Sequence, residues 1–175
     1  MEHPIVLSTC YDTETAKITM AGVLDRPGAM AAIFRCVANA GIQPDLVQTV
    51  CPAPGLHEVT LVVADQDVRT AVAALGRARP AIGYTHLGHD TEIGTVALSG
   101  AALRARTRII AQFFESFSRG GIPVELVSAT DTRITAVTRR QEAARAARAL
   151  AMSFGLGRDH INSLSRQSGY RLTEA

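Results

Sequence analysis

The amino-acid sequence repeats itself once at a spacing of 80 residues, and this repeat limits the folds that the chain can adopt. The segment "AGIQPDLV" has a counterpart in "GGIPVELV", in which Gly41 and Leu46 match Gly121 and Leu126. A period of this length is too long for a solenoid repeat. The 175 residues therefore contain one small domain twice.

Each copy begins with a strand that ends at a glycine, "ITMAG" in the first and "VALSG" in the second. The segment that follows has apolar residues at the i, i+3, i+4, i+7 spacing, which places them on one face of a helix. These positions are Met30, Ile33, Phe34 and Val37 in the first copy and Ile110, Phe113, Phe114 and Phe117 in the second. We expect both stripes to be buried against a sheet.

Each copy then continues with an apolar strand and a second helix. The strands are "HEVTLVV" and "TRITAVT", and Gly41 and Gly121 suit the left-handed residue that ends the preceding helix. Two spare apolar segments, "PIVLSTCYD" and "AIGYTHLG", are each predicted to add a strand. The predicted fold class is α+β, with two ferredoxin-like βαββαβ modules that have antiparallel sheets and helices on one face.

Charge and composition argue against a nucleic-acid or membrane partner. The formal net charge is +2, and every basic residue except Lys17 is an arginine scattered among acidic residues. The chain has no tryptophan, so stacking platforms for single strands are few. No segment approaches the roughly 20 apolar residues of a membrane span, and the start lacks the pattern of a secretory signal. We expect a cytoplasmic protein.

The three cysteines and five histidines show no spacing typical of a reactive or metal site. Cys10, Cys36 and Cys51 form no C-x-x-C pair, so we expect reduced thiols that fill space, with no disulfide and no metal. His86 and His89 have an odd spacing and would point to opposite faces of a strand, which favours surface histidines over metal ligands. His57 is isolated in sequence, and no Ser/His/Asp arrangement is evident.

The turn "DRPG" at positions 25–28 joins a strand to a helix and allows two interpretations. In the first, Asp25 caps the helix, and Pro27 lies in the first turn, where proline is tolerated. In the second, the helix N-terminus binds a carboxylate and Asp25 accepts hydrogen bonds from an ammonium group. The turn would then hold both ends of an amino acid, although the residues alone favour the capping interpretation.

A resemblance to a known family covers nearly the whole chain. The segments "AKITMAGVLDRPGAMAAIFRCVANAGI", "VELVSATDTRITAVTR" and "AARALAMSFGL" resemble the ACT domain, a ferredoxin-like module that binds small ligands, usually amino acids. Their order is similar to the paired ACT region of aspartate kinases, and the length fits the smaller regulatory subunit of that family. The resemblance implies a first module at 17–88 inserted into a second formed by 1–16 and 89–160, with 161–175 as an unmatched tail.

The same resemblance implies a function. In this family an aspartate-family amino acid, threonine or lysine or both, binds between ACT modules and shifts the attached kinase toward an inactive arrangement, for which it must favour that arrangement. We expect a regulatory chain with no catalytic residues, no cofactor and no metal. Its expected partners are the amino-acid effector, the catalytic subunit of an aspartate kinase and a second copy of itself in a homodimer.

Carried over position by position, the resemblance also implies site residues. The effector-binding residues are Asp25, Pro27, Gly28, Ala29, Gln48, Gly121, Pro123 and Val124. Gln48 matches only if one residue is deleted from "PDLVQTV", and Gly121 and Pro123 replace two asparagines of the family pattern. A second possible site comprises Arg106, Arg108, Gln43 and Asp45.

Arginines near the second loop leave a further question open. Arg104, Arg106 and Arg108 cluster at a predicted helix N-terminus, where the helix dipole favours acidic residues. They either extend into solvent or meet an anionic ligand or the carboxylates of a partner. Beside the feedback sensor, two other functions remain open: an ACT-pair scaffold whose effector binding is lost or altered, and a small enzyme on the same fold.

Overall fold

The computed structural model of the chain describes residues 6–103 and 107–164. The strands are β1 (Val6–Leu24), β2 (Leu46–Ala53), β3 (Leu56–Ala64), β4 (His86–Gly100), β5 (Leu126–Ala129), β6 (Arg133–Arg139) and β7 (Ile161–Ser163). The helices are α1 (Ala29–Asn39), α2 (Val68–Arg77), α3 (Arg79–Ile82), α4 (Thr107–Arg119) and α5 (Ala143–Ser153).

The chain divides into two compact units, which we call the first and the second module. The first module is Thr15–Thr91, and the second comprises the residues up to Glu14 together with those from Glu92 onward. Both divisions fall inside long strands, β1 and β4.

The first module packs three helices on one face of a sheet. Its strands are arranged in the order β2-β3-β1-β4, and β1 and β2 both pair antiparallel with β3. Ile18, Met20, Val59 and Leu61 are fully buried on the helix side, because residues two apart in a strand share a face. Side chains from α1, α2 and α3 complete this core.

The second module repeats this architecture. Its strands follow the order β1-β4-β6-β5, and β6 pairs antiparallel with both β4 and β5. Val96, Leu98, Ile134 and Ala136 are fully buried against α4 and α5. The predicted fold class, two ferredoxin-like modules with helices on antiparallel sheets, is confirmed.

The spare strands are longer than predicted, and one begins later. The opening segment "PIVLSTCYD" is continuous with "ITMAG" in the 19-residue strand β1 over its described part. The segment "AIGYTHLG" starts as the end of α3, and β4 begins only at His86. The reason is local: Pro80 lies at the start of α3, and Gly83 ends it in the left-handed region at φ 77°.

The predicted apolar stripes of α1 and α4 are wrong at one position each. The buried residues of α1 are Ala29, Ile33 and Val37, which recur every four residues, and Phe34 is 40% exposed. In α4 the equivalent Phe114 is 38% exposed. A stripe that recurs every four residues is narrow, so the neighbouring i+1 position lies at its edge.

The described part of the tail is not separate from the fold. Residues Thr9–Tyr11 of β1 pair with the short strand β7 in parallel, so part of the predicted tail extends the sheet of the second module. Within 6–103 and 107–164, no helix is both long and apolar enough to cross a membrane.

Candidate ligand-binding site

The turn between β1 and α1 is exposed and is held from two sides. The Asp25 backbone N–H donates to the carbonyl oxygen of Gly55 at 2.9 Å, which ties the turn to the β2–β3 hairpin. The Arg26 guanidinium donates to the carbonyl oxygen of Ala81 at 2.6 Å, which ties the turn to α3. The fold thus fixes the position of residues 25–28 although their side chains face solvent.

Helix α1 begins without a side-chain cap. Gly28 is the N-cap residue and adopts φ 90°, a conformation that favours glycine. No side chain caps α1, so the prediction that Asp25 caps this helix is wrong. A Cβ at Gly28 would meet no atom within 4 Å, so the space beside this residue is open.

The carboxylate of Asp25 instead contacts a histidine. Asp25 Oδ1 lies 3.2 Å from Nε2 of His57, and His57 Nδ1 lies 3.0 Å from Sγ of Cys51. We call these three side chains the thiol cluster. His57, which is isolated in the sequence, therefore has two side-chain neighbours in the structure. Cys51 and His57 lie on the two strands of one hairpin, β2 and β3, whereas Asp25 follows β1.

Gln48 lies on the face of the first module's sheet that is opposite to the helix-side core. It is opposite Thr60 in the β2–β3 ladder, and Thr60 Oγ1 is 3.2 Å from Thr19 Oγ1. Residues opposite each other share a face, and Ile18 and Leu61 of the helix-side core lie on the other one. Among the described residues, the buried Oε1 of Gln48 has no hydrogen-bond partner.

The candidate residues of the second module lie in the connection from α4 to β5. Gly121 adopts φ 61° after the helix, which confirms the left-handed residue predicted there, as does φ 71° at Gly41. The Pro123 carbonyl oxygen accepts a hydrogen bond of 2.6 Å from the buried Thr138 hydroxyl. Val124 is half-buried and packs against the core of the second module.

The residues predicted for a second possible site lie in separate parts of the chain. Gln43 and Asp45 are exposed between α1 and β2 in the first module, and the Asp45 N–H donates to the Val62 carbonyl oxygen at 2.8 Å. Arg108 is exposed in the first turn of α4 in the second module. Arg106, with Arg104, lies outside the described residues.

The remaining histidines and cysteines that the sequence analysis considered lie in different surroundings. His86 and His89 are exposed, and Lys17 Nζ lies 3.7 Å from Asp90 Oδ2. Burial raises the pKa of both Cys10 and Cys36 above the ordinary value for a thiol. No group of three histidine, cysteine or acidic side chains has metal-binding geometry within the described ranges.

Comparisons with known proteins agree with this architecture. Residues 96–154 match the family model described as ACT domain. The aspartokinase of Mycobacterium tuberculosis is 36% identical over 161 residues, which are 91% of this chain and 38% of that protein. The regulatory subunit of aspartate kinase from Thermus thermophilus, in its ligand-free form, superposes with a TM-score of 0.80 at 25% identity, over 85% of this chain and 98% of that one.

Residues 96–154 match an ACT domain, and the chain is similar to the aspartokinases over 91% of its length. A further match, the aspartate kinase from Synechocystis, has a TM-score of 0.81 at 25% identity and covers 87% of this chain but 27% of that one. The chain spans 38% of the length of the curated aspartokinases that it matches. It resembles the regulatory subunit of aspartate kinase and not the catalytic domain.

Proposed function

We propose that this protein is a regulatory subunit of an aspartate kinase and binds an aspartate-family amino acid, threonine or lysine or both, for feedback control in the cytoplasm. The observation that carries the proposal is the match to a complete regulatory subunit, of which 98% is covered at 25% identity. The partners we propose are a catalytic aspartate kinase subunit and a second copy of the chain. The effector must favour one arrangement of the kinase over another, because equal affinity for both would shift nothing.

The turn at 25–28 supports binding of an amino acid. The first N–H groups of an 11-residue helix, with the partial positive charge of its N-terminus, suit the α-carboxylate. The Asp25 carboxylate is 66% exposed and accepts hydrogen bonds, so it suits the α-ammonium group. In this proposal the ammonium group competes with His57 for Asp25, while Pro27, Gly28 and Ala29 shape the approach.

Two further contacts belong to the proposal. The buried Oε1 of Gln48 has no hydrogen-bond partner within the part of the chain that the structure describes, which supports a contact with a donor, since burying such an acceptor without a partner costs about 1 to 3 kcal/mol. The resemblance to the family implies that Gly121, Pro123 and Val124 also contact the effector. The Thr138 hydroxyl already occupies the Pro123 carbonyl oxygen, so we assign this segment a contact through its other backbone groups.

Isothermal titration calorimetry with L-threonine, L-lysine and D-threonine tests this function. We expect heat with at least one L-amino acid and none with D-threonine. Asp25→Asn should weaken that binding about tenfold, because a charge-assisted hydrogen bond contributes about 1.5 kcal/mol or more. Glu115→Gln changes an exposed carboxylate on α4 and is the matched control. No heat and no thermal shift with any aspartate-family amino acid would exclude the sensor.

A scaffold function is the second candidate, and two contacts favour it. The Asp25 carboxylate already contacts His57, and the Pro123 carbonyl oxygen already accepts from Thr138, so two proposed ligand contacts are engaged within the protein. A scaffold would copurify with a catalytic aspartate kinase chain and bind no amino acid. Binding of both a catalytic aspartate kinase chain and an amino acid would support the function of a regulatory subunit.

A further inference from the structure

The thiol cluster joins a sulfur nucleophile, an imidazole and a carboxylate in a line. Cys51 Sγ is 3.0 Å from Nδ1 of His57, and the opposite ring nitrogen, Nε2, is 3.2 Å from Asp25 Oδ1. A nucleophile, a base within hydrogen-bond reach and a group that orients the base are the components of an activated side chain. The three residues come from β2, from β3 and from the turn after β1.

Irregularities in the strands place these residues together. The β2–β3 ladder pairs Val50 with Glu58 and then shifts its register before Ala53, so that Cys51 lies in an irregular part of β2. Such a bulge changes the direction of a side chain. His57 is opposite Val23 in the β1–β3 ladder, which brings the residues just beyond Val23 alongside the imidazole. The contact is therefore a consequence of the register of three strands.

The Cys51 thiol differs from the other two thiols in access. Cys51 is exposed, and the side chains of His57 and Asp25 are 22% and 66% exposed, so a small molecule in solvent reaches the sulfur. Cys10 is buried and Cys36 is half-buried, and burial raises the pKa of both. Since the thiolate is the attacking species, the other two thiols are poorer nucleophiles at neutral pH.

A metal site does not fit the cluster. The two nitrogens of an imidazole lie on opposite sides of the ring, and here one faces the sulfur and the other faces the carboxylate. The ring therefore separates Cys51 from Asp25, whereas ligands of one ion must converge on it. The geometry fits a proton path along Sγ, Nδ1 and the imidazole instead.

We propose that Cys51 is a thiol–disulfide exchange site, at which a small-molecule disulfide forms a mixed disulfide with the protein. As Sγ attacks one sulfur of the disulfide, His57 Nδ1 accepts the thiol proton. The disulfide bond breaks, a bond forms between Sγ and the attacked sulfur, and the departing thiolate takes the proton from Nδ1. The cysteine is oxidised and one half of the small disulfide leaves as a reduced thiol.

Asp25 acts in this step as a positioning residue. Its carboxylate accepts the Nε2–H of His57, which selects the tautomer whose Nδ1 is free to accept a proton. It does not touch the sulfur. An effector bound at Asp25 would compete with His57 for this carboxylate, so the exchange is measured without any amino acid, and each proposal is then tested separately.

Labelling of the 175-residue chain with the neutral disulfide 2,2′-dithiodipyridine tests the exchange site. The released thione gives the rate, and peptide mass spectrometry gives the labelled cysteine. We expect one fast phase at neutral pH, with the label on Cys51, that Cys51→Ser abolishes and Cys36→Ser leaves unchanged. His57→Gln should slow the phase about tenfold or more, because the general base is lost. His86→Gln removes an exposed histidine of the same module and is the matched control.

Two further measurements distinguish activation of the Cys51 thiol by His57 from the mere exposure of Cys51 to solvent. The native Cys51 thiol should react about tenfold faster than the same thiol in the urea-unfolded chain, a comparison that needs no variant. Asp25→Asn should slow the fast phase by about threefold and change its pH profile, since Asp25 acts through His57. The proposal is overturned if Cys36 reacts as fast as Cys51, if folded His57→Gln reacts like the wild type, or if unfolding leaves the Cys51 rate unchanged.

Discussion

The Arg26 guanidinium donates a hydrogen bond to the Ala81 carbonyl oxygen at 2.6 Å, across 55 positions of the sequence. The same group lies 3.4 Å from the Pro80 carbonyl oxygen. Both acceptors are in α3, whose last carbonyl groups lack partners within the helix and favour a cation. Arg26 thus anchors the exposed turn at 25–28 to the helix that precedes β4.

Removing this anchor should loosen the turn and leave the module folded. Arg26→Met keeps the apolar stem and removes the donors, and we expect a loss of about 1 kcal/mol, or a decrease in Tm of about 2 to 4 °C. Amide exchange at residues 25–28 should accelerate more than at the core strands. Arg35→Met, at an exposed position of α1, is the control. Equal effects of the two variants on the turn would contradict the anchor.

Two adjacent phenylalanines of α4 should differ widely in their contribution to stability. Phe113 is fully buried and packs against Phe117 with ring centroids 5.1 Å apart, whereas Phe114 is 38% exposed. Phe113→Ala should lower the free energy of unfolding by about 3 to 5 kcal/mol, because it removes buried area and leaves a cavity. Phe114→Ala should cost about 1 kcal/mol or less. Urea unfolding of both variants measures the difference, and similar losses would disprove this assignment of the buried stripe.

The sequence was sufficient for the modules because their signals are local and occur twice. The stripe of α1 at Ile33 and Val37 and the helix-ending glycine at Gly41 recur 80 residues later, and both copies are found as predicted. The exposure of Phe34 and Phe114 was not predicted, because periodicity fixes the buried face but not its width. The width depends on how closely neighbouring helices pack.

The thiol cluster could not be predicted from the sequence, for a different reason. Cys51 and His57 are six residues apart, but their contact requires the register shift in the β2–β3 ladder. The contact with Asp25 requires the pairing of β1 with β3 as well. Register between strands is a tertiary property that spacing along the chain does not specify.

The segment after α4 should lose order when its side-chain hydrogen bond is removed. The Thr138 hydroxyl is buried and donates to the Pro123 carbonyl oxygen at 2.6 Å. Thr138→Val keeps the shape and removes the donor, so we expect a loss of about 1 kcal/mol in the free energy of unfolding and faster amide exchange at 121–125. Thr95→Val, on the neighbouring strand β4, is the control. Unchanged exchange at 121–125 would show that this hydrogen bond does not order the segment.

Alkaline pH should destabilise the protein partly through Cys10. Burial is the main cause that raises the pKa of this thiol; the charge of Asp12 also raises it, while nearby Arg133 and a backbone hydrogen bond from Ala97 lower it. A raised pKa means that the native protein holds the thiol proton at a pH at which the unfolded chain releases it. The contribution of Cys10 to the free energy of unfolding is complete below the unfolded pKa of about 8.5. It is lost as the pH rises through the native pKa, and the free energy of unfolding falls by up to about 1.4 kcal/mol per pH unit.

Urea unfolding of the wild type and of Cys10→Ala from neutral pH to about pH 9.5 measures this slope, because the titration of lysine and tyrosine is common to both chains. Cys10→Ala should unfold with a smaller dependence on pH than the wild type, although it is less stable at neutral pH because a buried side chain is truncated. Cys36→Ala should reduce the pH dependence of the free energy of unfolding less than Cys10→Ala does, because Cys36 is only half-buried and the nearby charge of Arg77 opposes the effect of burial. The opposite sign, with stability rising through this range because of Cys10, would mean that the native site stabilises the thiolate. In that case the hydrogen bond from Arg133 to Sγ at 3.4 Å, and not burial, would control the titration of Cys10.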